Sequence, residues 1–480
     1  MIDKTTLNLF KKIIRITSKR DIKIYLVGGY LRDLILKNKK RKDLDIDFCL
    51  KRGAINLGKR IASELKAGFV ILDKKHSCCR VVKKTKTKTY TLDFTDFRGR
   101  DLKADLFKRD FTINAFAIDL EDFLKKGKDF EESIVDPYGG REDLKKETVR
   151  LINERGFLED PLRILRAFSI AGLLDFKIDK KTIFLIKRYS HLIAKVSGER
   201  IREELFKILD LDYSYNYLKK MDEEKVLEVI FPQVKSMRNL YQGPYHHLDV
   251  FQHSLETIRQ LELLLKELKM NSDLREYLEK NLCANRRRYS LIKLAAFLHD
   301  IGKPQAKRFE EGKIKFHGHE KIGLEIAEEI AESLKLSNIE IESLKKIILW
   351  HLRPGYLADL ETLTARAKFR FFRDTGEDAV SVLLVSLADQ RATRGPLTTL
   401  KDRKQHESLV KNLIKEYFKK KKQKPPKKLL TGYDLINKFK LEPSPLFGKI
   451  LKEIEELGAI GKIKTKKEAL NWVVKFLKTQ

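Results

Sequence analysis

Two carboxylates, Asp45 and Asp47, have the residue type and spacing of a cation site. They lie in the segment RKDLDIDFCL (41–50), where apolar and acidic residues alternate. Successive side chains of a β-strand point to opposite faces, so this alternation predicts that both carboxylates share one face. Asp93, on the polar alternation of YTLDFTDF (90–97), offers a third carboxylate. Clustered carboxylates repel one another without a cation, and such oxygen ligands suit Mg²⁺, which also binds phosphates.

A pair of glycines precedes these carboxylates by 17 residues. In YLVGGYLRDLIL (25–36) an apolar strand pattern stops at Gly28 and Gly29, and a helical pattern follows. Glycine lets a backbone approach a ligand closely, and a helix N-terminus presents N–H groups to a phosphate. Arg32, one turn into the predicted helix, adds positive charge. Either pattern alone is common, but together and in this order they predict metal-dependent phosphate chemistry.

A second candidate site is rich in histidine, because seven of the ten histidines lie between His246 and His351. A lone buried histidine is more often a core residue, but a series of imidazoles and carboxylates suits transition metals. The candidate ligands are His253, His299, Asp300, His319, His351 and Asp389, in the segments VFQHSL, FLHDIGKP, HGHEK, LWHLRP and LADQRA.

The elements that must position these residues fall into an α/β part and a helical part. Strands are predicted at 22–27, 43–50, 68–72, 79–84 and 90–97. From about 110 to 240, and again from about 245 to 400, apolar residues recur three and four apart, which predicts helices. The basic run KKKKQKPPKK (419–428) is expected to be a linker or a solvated phosphate-binding strip, and a last helical segment follows it.

The composition favours a multidomain protein that binds a polyanion. The chain has 480 residues, too many for one compact core. Its 101 Lys and Arg exceed its 69 Asp and Glu, which gives a formal net charge of +32. Each phosphate that a basic surface neutralises releases a counterion, so nucleic acid is the natural partner. A Lys-rich, thermophilic proteome is the alternative explanation, since Lys and Glu rise together there.

The four cysteines and the N-terminal segment bear on location. Cys49, Cys78, Cys79 and Cys283 form no CxxC pair, which favours a reducing compartment. The first 20 residues are amphipathic rather than continuously apolar, unlike a signal peptide. No window approaches the length of a membrane span. We expect a cytoplasmic protein without a membrane partner.

Motifs downstream of the carboxylates identify a family. KRDFTINAFAI (108–118), DPYGGREDL (136–144), EDPLRILRAF (159–168) and SGERIREEL (197–205) follow in order. With the glycine turn and the carboxylate strand, this succession resembles class II tRNA nucleotidyltransferases and their bacterial poly(A) polymerase relatives, within the polymerase-β superfamily. The resemblance covers residues 20–240. It implies a two-metal attack of an RNA 3′-hydroxyl on the α-phosphate of CTP or ATP, with loss of pyrophosphate.

The resemblance also implies roles for individual residues. Asp45 and Asp47 would hold catalytic Mg²⁺, with Asp93 assisting. The residues that would cradle the triphosphate or bind the nucleotide and its ribose are Gly28, Gly29, Arg32, Arg109, Asp110 and Asn114. One departure is Lys108, since the family usually has a second arginine before this Arg-Asp pair.

The motif EDPLRILRAF has a physical interpretation of its own. Asp160, Arg163 and Arg166 are spaced three apart, which predicts one shared helix face. Asp accepts and Arg donates hydrogen bonds, so such a face could recognise the Watson–Crick edge of a base. Standing alone, the motif would more simply be a surface salt bridge. In the family that the motifs resemble, it is the protein template that selects C and A.

The histidine-rich region resembles the HD phosphohydrolase superfamily, with LHDIGKP (298–304) as its marker. The resemblance implies that His253, His299, Asp300 and Asp389 are the minimal set of metal ligands. It makes His319 and His351 the extra ligands of a dinuclear site, with His317 as an alternative to His319. The implied chemistry is attack of metal-activated water on a phosphoester. The metal is left open between a transition metal, Mg²⁺ and Mn²⁺, and so is the activity of the domain.

One short segment bears on the product. In complete CCA-adding enzymes a longer flexible loop usually separates the third-carboxylate strand from the RDFT motif, whereas here only RDLK (100–103) joins TDFRG to ADLFKRDFT. In the family, deletion of that loop is associated with enzymes that add only CC. Harmless length variation is the other explanation, since loops tolerate deletion. The sequence therefore favours a CC-adding enzyme over a complete CCA-adding one.

Together these features predict a multidomain α+β enzyme with a polymerase-β-like nucleotidyltransferase head and a helical remainder. The expected domains are the head (1–145), an all-helical, nucleotide-selecting and RNA-binding neck and body (146–240), an HD domain (241–415) and a tRNA-binding tail (416–480). The expected partners are tRNA, CTP and ATP. The alternatives are an A-adding enzyme, a poly(A) polymerase and, from another class, an RNA-binding HD phosphohydrolase. The tail, with Ser444-Pro445 where the family often has Gly-Pro, argues against a poly(A) polymerase.

Overall fold

A computed structural model describes residues 2–37, 44–85, 88–268, 271–423 and 428–478. By its internal contacts the chain divides into two compact units. The first consists of Met1–Ile208 and Lys220–Ile230, and the second of Leu209–Lys219 and Phe231–Gln480.

The elements up to residue 230 are α1 (Lys4–Ser18), β1 (Ile24–Val27), α2 (Gly28–Ile35), β2 (Leu44–Leu50), α3 (Ala54–Leu65), β3 (Gly68–Asp73), β4 (Cys78–Lys84), β5 (Thr89–Asp96), α4 (Leu102–Phe107), β6 (Ala117–Asp119), α5 (Leu120–Lys126), α6 (Gly140–Lys145), β7 (Thr148–Val149), α7 (Gly156–Glu159), α8 (Arg163–Leu174), β8 (Lys177–Ile178), α9 (Lys180–Tyr189), α10 (Gly198–Leu209), α11 (Ser214–Glu223) and α12 (Val226–Ile230).

The elements that follow are α13 (Val250–Leu268), α14 (Ser272–Glu279), β9 (Asn281–Cys283), β10 (Arg286–Arg287), α15 (Arg288–Leu298), α16 (Lys303–Ala306), β11 (Arg308–Glu310), β12 (Lys313–Lys315), α17 (His319–Ser333), α18 (Asn338–Trp350), α19 (Arg353–Ala358), α20 (Ala365–Thr375), α21 (Ala379–Ala392), α22 (Leu400–Lys421), α23 (Gly432–Phe439), α24 (Pro445–Ala459) and α25 (Lys466–Lys478). Short 3₁₀ turns lie at 112–114, 127–133, 190–195, 232–237 and 376–378.

The first unit contains a mixed, six-stranded sheet with the strand order β3-β4-β5-β2-β1-β6. Strands β2 and β5 run parallel, and every other pairing in this sheet is antiparallel. The strands β1 to β5 coincide closely with the five segments that the sequence predicts as strands. Strand β6 lies in the FTINAFAIDL segment, where a helical pattern was expected.

One face of this sheet is an aromatic core. Phe48 of β2 and Phe94 of β5 stack with ring centroids 5.1 Å apart. Phe10 of α1 packs edge-on against Phe48 at 5.9 Å and is fully buried. Because neighbouring residues of a strand face opposite ways, the packing of Phe48 turns Asp47 toward the other face. The apolar core thus determines where the carboxylates point.

The rest of the described chain is mainly helical, which confirms the predicted α+β class with a mixed sheet in the head. The expected all-helical stretch from 146 to 240 also contains two short strands, β7 and β8, which pair in parallel. At two residues each, they are too short for an alternation of apolar residues to show in the sequence.

A buried ion pair organises the helices of the second unit. Lys293 of α15 is fully buried, and its ammonium lies 2.8 Å from the Oε1 atom of Glu262 on α13. The same oxygen accepts hydrogen bonds of 2.6 Å from both the backbone N–H and the hydroxyl of Ser214. Desolvated charges are tolerated only when they are paired in this way. Helices α13 and α15 are thereby fixed around the region that holds the histidines.

The C-terminal helices α23, α24 and α25 have a small apolar core of their own, formed by Leu430, Leu435, Ile450, Ile454, Ile463, Ala469 and Val473. Glu456 of α24 is almost fully buried, and its Oε2 atom accepts a hydrogen bond of 2.8 Å from Arg370 of α20. The expected linker begins inside α22, which continues to Lys421, and residues 424–427 of that run lie outside the described part.

No helix in the described part of the chain is both long and apolar enough to cross a membrane.

Candidate functional site

The parallel pairing of β2 with β5 brings the three predicted carboxylates together. Asp47 lies opposite Asp93 in this register, and Asp45 lies opposite Thr91. Asp45 is exposed, whereas Asp47 and Asp93 are half-buried. The alternation in the sequence therefore places Asp45 and Asp47 on one face, as expected.

Asp47 has an unfavourable electrostatic environment for an anion. Burial raises its pKa to about 6, with further contributions from Asp93 and Asp45 that the charge of Arg109 only partly offsets. A site in which ionised carboxylates are poorly compensated favours a bound cation. The donors are all carboxylate oxygens, the ligands that Mg²⁺ prefers. The residues present therefore fit a magnesium site.

The predicted glycine turn lies directly against this carboxylate. Gly28 has a backbone φ of +74°, a conformation that other residues rarely adopt. A Cβ atom at this position would lie 2.6 Å from Asp47 Oδ2. The preceding Val27 supplies no side-chain cap to α2, so the helix begins without an internal acceptor for its first N–H groups. Both the positive φ and the short distance to Asp47 therefore require glycine at this position. The N–H groups at the start of α2 could donate hydrogen bonds to a phosphate.

Arg32 is buried and takes part in a chain of hydrogen bonds. Its Nη1 donates to Asn114 Oδ1 at 2.8 Å, and its Nε donates to Asp33 at 2.9 Å. Asn114 Nδ2 in turn donates to Asp110 Oδ1 at 3.1 Å. The structure thus connects three of the residues predicted to bind nucleotide, Arg32, Asn114 and Asp110.

Asp110 is also held by Arg166 of α8. The Nε and Nη2 atoms of Arg166 lie 2.9 and 2.6 Å from Asp110 Oδ2. Burial would raise the pKa of Asp110, but the charge and hydrogen bonds of Arg166 and the bond from Asn114 lower it to about 2. Arg166 also lies 3.4 Å from Glu204 of α10. Asp110 is therefore a fixed anion that orients Arg166.

Asp160, Arg163 and Arg166 were expected on one face of one helix. The structure places only the two arginines on the same helix. Helix α8 begins at Arg163, whereas Asp160 has an extended backbone with φ −147° and ψ 97°. Pro161 follows Asp160, and a residue before proline is disfavoured in the helical conformation. Asp160 Oδ2 accepts a hydrogen bond from Arg200 at 2.9 Å, and Arg163 Nη2 donates to the Lys108 carbonyl at 2.6 Å.

Two charged residues beside the carboxylates were not predicted from the sequence. Arg80 of β4 donates two hydrogen bonds of 2.8 Å to Asp93, which it faces in the antiparallel β4–β5 register. Asp105, almost fully buried in α4, accepts a bond of 3.3 Å from Arg109 Nη2. Pairing of the strand CCRVVKK with YTLDFTDF would have pointed to Arg80, because cross-strand charges of opposite sign are stabilising. No local pattern pointed to Asp105.

The second candidate site gathers around Asp300 in the helical unit. Its Oδ2 atom lies 3.1 Å from His299 Nε2. Its Oδ1 atom lies 3.2 Å from His319 Nε2 and 3.8 Å from His351 Nε2. Asp389 completes the group, with its Oδ1 atom 2.9 Å from His253 Nε2. The structure thus brings together all six of the predicted ligands.

The orientation of three imidazoles is fixed by helix ends. His299 and His351 follow the last residues of α15 and α18, and His319 is the first residue of α17. The Nδ1 atom of each lies 2.7–2.9 Å from the carbonyl oxygen three residues earlier. Because Nδ1 carries the hydrogen that it donates to this carbonyl, Nε2 has a lone pair, and that lone pair points into the cluster.

The cluster fits a metal, because three of its inward-pointing ring nitrogens have no hydrogen-bond partner. The Nε2 atoms of His299, His319 and His351 are buried without a hydrogen-bond partner. Buried polar atoms are normally paired, so orphaned ones call for a further ligand. Burial lowers the pKa of His351 to about 3, helped by its histidine neighbours, which keeps this imidazole neutral and able to ligate.

The ligand atoms form overlapping groups of three within 4.8 Å: His253, His299 and Asp300; His299, His351 and Asp389; and Asp300, His319 and His351. His317 is exposed, so the structure places His319 rather than His317 in the cluster. Lys303 and Gln242 were not predicted. The Lys303 ammonium lies 2.6 Å from Asp300 Oδ2 and donates to Gln242 Oε1 at 2.7 Å.

Comparisons with known proteins agree with this arrangement. Three family models match: the poly A polymerase head domain over residues 24–150, the probable RNA and SrmB-binding site of polymerase A over 175–238, and the HD domain over 250–394. The A-adding tRNA nucleotidyltransferase of Deinococcus radiodurans is 28% identical, over 78% of this chain and 79% of its own length.

Two further proteins extend the comparison. The CC-adding tRNA nucleotidyltransferase of Synechocystis sp. is 28% identical, over 93% of this chain and 91% of its own length. The structure of the Thermotoga maritima CCA-adding enzyme complexed with tRNA-CCA superposes with a TM-score of 0.62 and 23% identity, covering 99% of this chain and 96% of that chain. At this identity the structural likeness concerns the fold.

The head motifs, the RNA-binding segment and the histidine-rich region thus match in the same order along one chain. The chain carries the head domain and the RNA-binding segment of polymerase A together with an HD domain, and it is an enzyme similar to tRNA nucleotidyltransferases.

Proposed function

We propose that this enzyme adds CMP residues to the 3′ end of tRNA, without a nucleic-acid template. The observation that carries the proposal is the cluster of Asp45, Asp47 and Asp93 beside the Gly28 turn. The net charge of +32 supports tRNA as the partner, because it favours a polyanion. The relatives named above act on tRNA, which is consistent with this substrate.

Asp45 and Asp47 would hold the catalytic Mg²⁺, with Asp93 assisting while Arg80 balances part of its charge. Bound Mg²⁺ lowers the barrier to phosphoryl transfer by stabilising negative charge on the attacking and leaving oxygens. Gly28 keeps its own backbone close to Asp47, because any side chain there would displace the carboxylate. The uncapped start of α2 would receive phosphate oxygens of CTP through Gly29 and its neighbours.

Nucleotide selection would fall to the charged groups ahead of and within α8. Asp160 is half-exposed, so it can exchange its bond with Arg200 for one with a base. Arg163 is largely buried against the Lys108 carbonyl, and Arg166 is held by Asp110. When hydrogen-bond donors and acceptors are already held in place, a wrong base leaves one of them without a partner. The free-energy cost of that unpaired group discriminates between bases. Arg109, Asp110 and Asn114 would support the nucleotide and its ribose.

The preference for CC addition rests on the connection between β5 and α4. Strand β5 ends at Asp96 and α4 begins at Leu102. Asp101 caps α4 by accepting a bond of 2.8 Å from the Ala104 N–H. A Cβ atom at Gly99 would lie 2.5 Å from the Ala104 Cβ, so the turn is tightly closed. The connection is therefore too short to contain a flexible loop that could change the shape of the nucleotide pocket from CTP to ATP.

A second candidate function is metal-dependent hydrolysis of a phosphoester by the HD domain. The orphaned Nε2 atoms of its histidines support this proposal. His253, His299, Asp300 and Asp389 would hold one metal ion, with His319 and His351 as ligands of a second. A transition metal, Mg²⁺ or Mn²⁺ would supply activated water there. Lys303 would balance the charge of Asp300 beside the metal.

Neutralising either carboxylate of β2 tests the first proposal. Asp45→Asn or Asp47→Asn should reduce nucleotide addition by about 10²–10³-fold or more, because the metal would lose a charged ligand. Binding of tRNA, measured by filter retention, should change little. Asp122→Asn, a matched change at an exposed position of the same unit, should leave both unchanged. Full addition by Asp47→Asn would refute the assignment of this site.

Product length separates CC addition from its alternatives. tRNA that ends at the discriminator base should gain two nucleotides with CTP and none further when ATP is added, as resolved on a sequencing gel. Complete CCA ends would contradict the argument from the short connection. Addition only to tRNA that already ends in CC would mark an A-adding enzyme, and long ATP tails on generic RNA a poly(A) polymerase.

The HD proposal makes an independent prediction. Asp300→Asn should abolish any hydrolysis of 2′,3′-cyclic or terminal phosphates and should lower the bound metal measured by mass spectrometry. Nucleotide addition should be retained, because Asp300 lies outside the unit that holds Asp47. Asp359→Asn, in the same unit but outside the cluster, is the control. Metal content equal to that of the wild type would argue against these ligands.

A further inference from the structure

A cavity apart from both clusters lies between helices α13, α21 and α22. Its volume is about 540 Å³, within the range of roughly 300–1,000 Å³ that is usual for small-ligand sites. Its walls come from one side of α13, the last residues of α21 and the first two turns of α22. Every lining residue belongs to the second unit.

Five cations line this cavity, and two of them are already paired. The Arg391 guanidinium lies 3.0 Å from Glu267 and 2.9 Å from Glu407. The Arg259 guanidinium lies 2.9 Å from Glu256. These two arginines therefore supply no net charge for a ligand.

The other three cations, Arg394, Arg403 and Lys404, have no carboxylate within ion-pair distance in the described part of the chain. Arg394 donates from Nε to the Arg391 carbonyl at 3.1 Å. Arg403 donates from Nη2 to Thr398 at 2.5 Å, while its Nε atom is buried without a hydrogen-bond partner. Three cations without an ion-pair partner around one cavity favour a multiply charged anion, although the charge of Arg394 also acts on Glu256. Arginine forks match phosphate oxygens.

The remaining walls suit a planar, partly polar group. Leu263 and Leu400 are 40% and 73% exposed, although both are apolar. Gln260 and Gln390 also line the cavity. The Gln260 amide nitrogen donates to Glu256 at 2.7 Å, and its carbonyl oxygen is an acceptor by type, although the residue is almost fully buried. Proteins bind a nucleobase by packing side chains on the face of its ring and by forming hydrogen bonds with its edge.

We infer that this cavity binds a phosphorylated nucleoside, with its phosphates between Arg394, Arg403 and Lys404 and its base against Leu263 and Leu400. The ligand could be a free nucleotide or one unit of an RNA strand, since the chemistry is the same. The site needs no metal, because the protein supplies the charge.

Binding of two probes to the full chain tests this inference. Cytidine 3′,5′-bisphosphate and a cytidine-rich RNA hexamer are titrated in EDTA, which removes metal-dependent binding elsewhere. The Arg394→Ala/Arg403→Ala variant should bind at least one probe about 10–100-fold more weakly, as expected for lost charged hydrogen bonds. Lys404→Glu, a change at an exposed position, should act in the same direction. Lys401→Ala, on α22 but outside the cavity, should bind like the wild type.

Hydrogen exchange with the same probes locates the site. Protection is expected in residues 259–267 and 390–407, and circular dichroism checks that each variant is folded. Loss of only bisphosphate binding identifies a free nucleotide as the ligand, and loss of only hexamer binding identifies an RNA strand. If the double variant binds both probes as tightly as Lys401→Ala does, or if protection is confined to the first unit, the inference is overturned. The turnover number for nucleotide addition to tRNA should not change in any of the three variants.

Discussion

The head depends on one electrostatic constraint, the confinement of three carboxylates to one face of adjacent strands. The parallel pairing of β2 and β5 sets Asp47 opposite Asp93, and the stacked rings of Phe48 and Phe94 on the opposite face prevent either strand from turning over. Burial raises the pKa of Asp47, and the neighbouring carboxylates Asp93 and Asp45 raise it further, which reflects the cost of this arrangement. Functional sites often keep such local conflicts, which the bound ligand relieves.

The surrounding residues limit this cost without removing it. Arg80 neutralises Asp93 through two hydrogen bonds, and Arg166 neutralises Asp110. The charges of Arg109 and Arg166 compensate Asp47 only in part, and its carboxylate lies against Gly28. The unbalanced charge therefore lies where the backbone can come closest to a phosphate. The HD cluster follows a related principle, since three of its imidazoles, those of His299, His319 and His351, are anchored at Nδ1 and left unpaired at Nε2.

Local patterns in the sequence predicted much of this. Period-two alternation identified the shared face of Asp45 and Asp47 on β2 and the position of Asp93 on β5, and short strand segments were predicted at β1, β3 and β4 as well. The order of histidines and aspartates anticipated the members of the HD cluster, although the sequence left His317 and His319 as alternatives for one position. Only the structure separated them, since His319 is buried beside Asp300 and His317 is exposed.

Features that depend on contacts distant in the chain were not predicted. Arg80 faces Asp93 through the β4–β5 register, and Gln242 meets Lys303 through packing between distant segments. Lys303 itself lies only three residues after Asp300 and was not recognised. Asp160 was misplaced on the helix of Arg163 because the spacing of three continued across Pro161, whereas the backbone of Asp160 itself is extended. Strand β6 was missed because it is only three residues long, within a segment of helical periodicity.

If the carboxylate cluster destabilises β2 and β5 until a cation binds, hydrogen exchange of the amides in these two strands should depend on Mg²⁺. In the wild type, Mg²⁺ should slow exchange of these amides relative to EDTA. In Asp47→Asn, exchange in EDTA should already be slower than in the wild type, and Mg²⁺ should have little further effect. Faster exchange of Asp47→Asn in EDTA, or a response to Mg²⁺ equal to that of the wild type, would contradict the account.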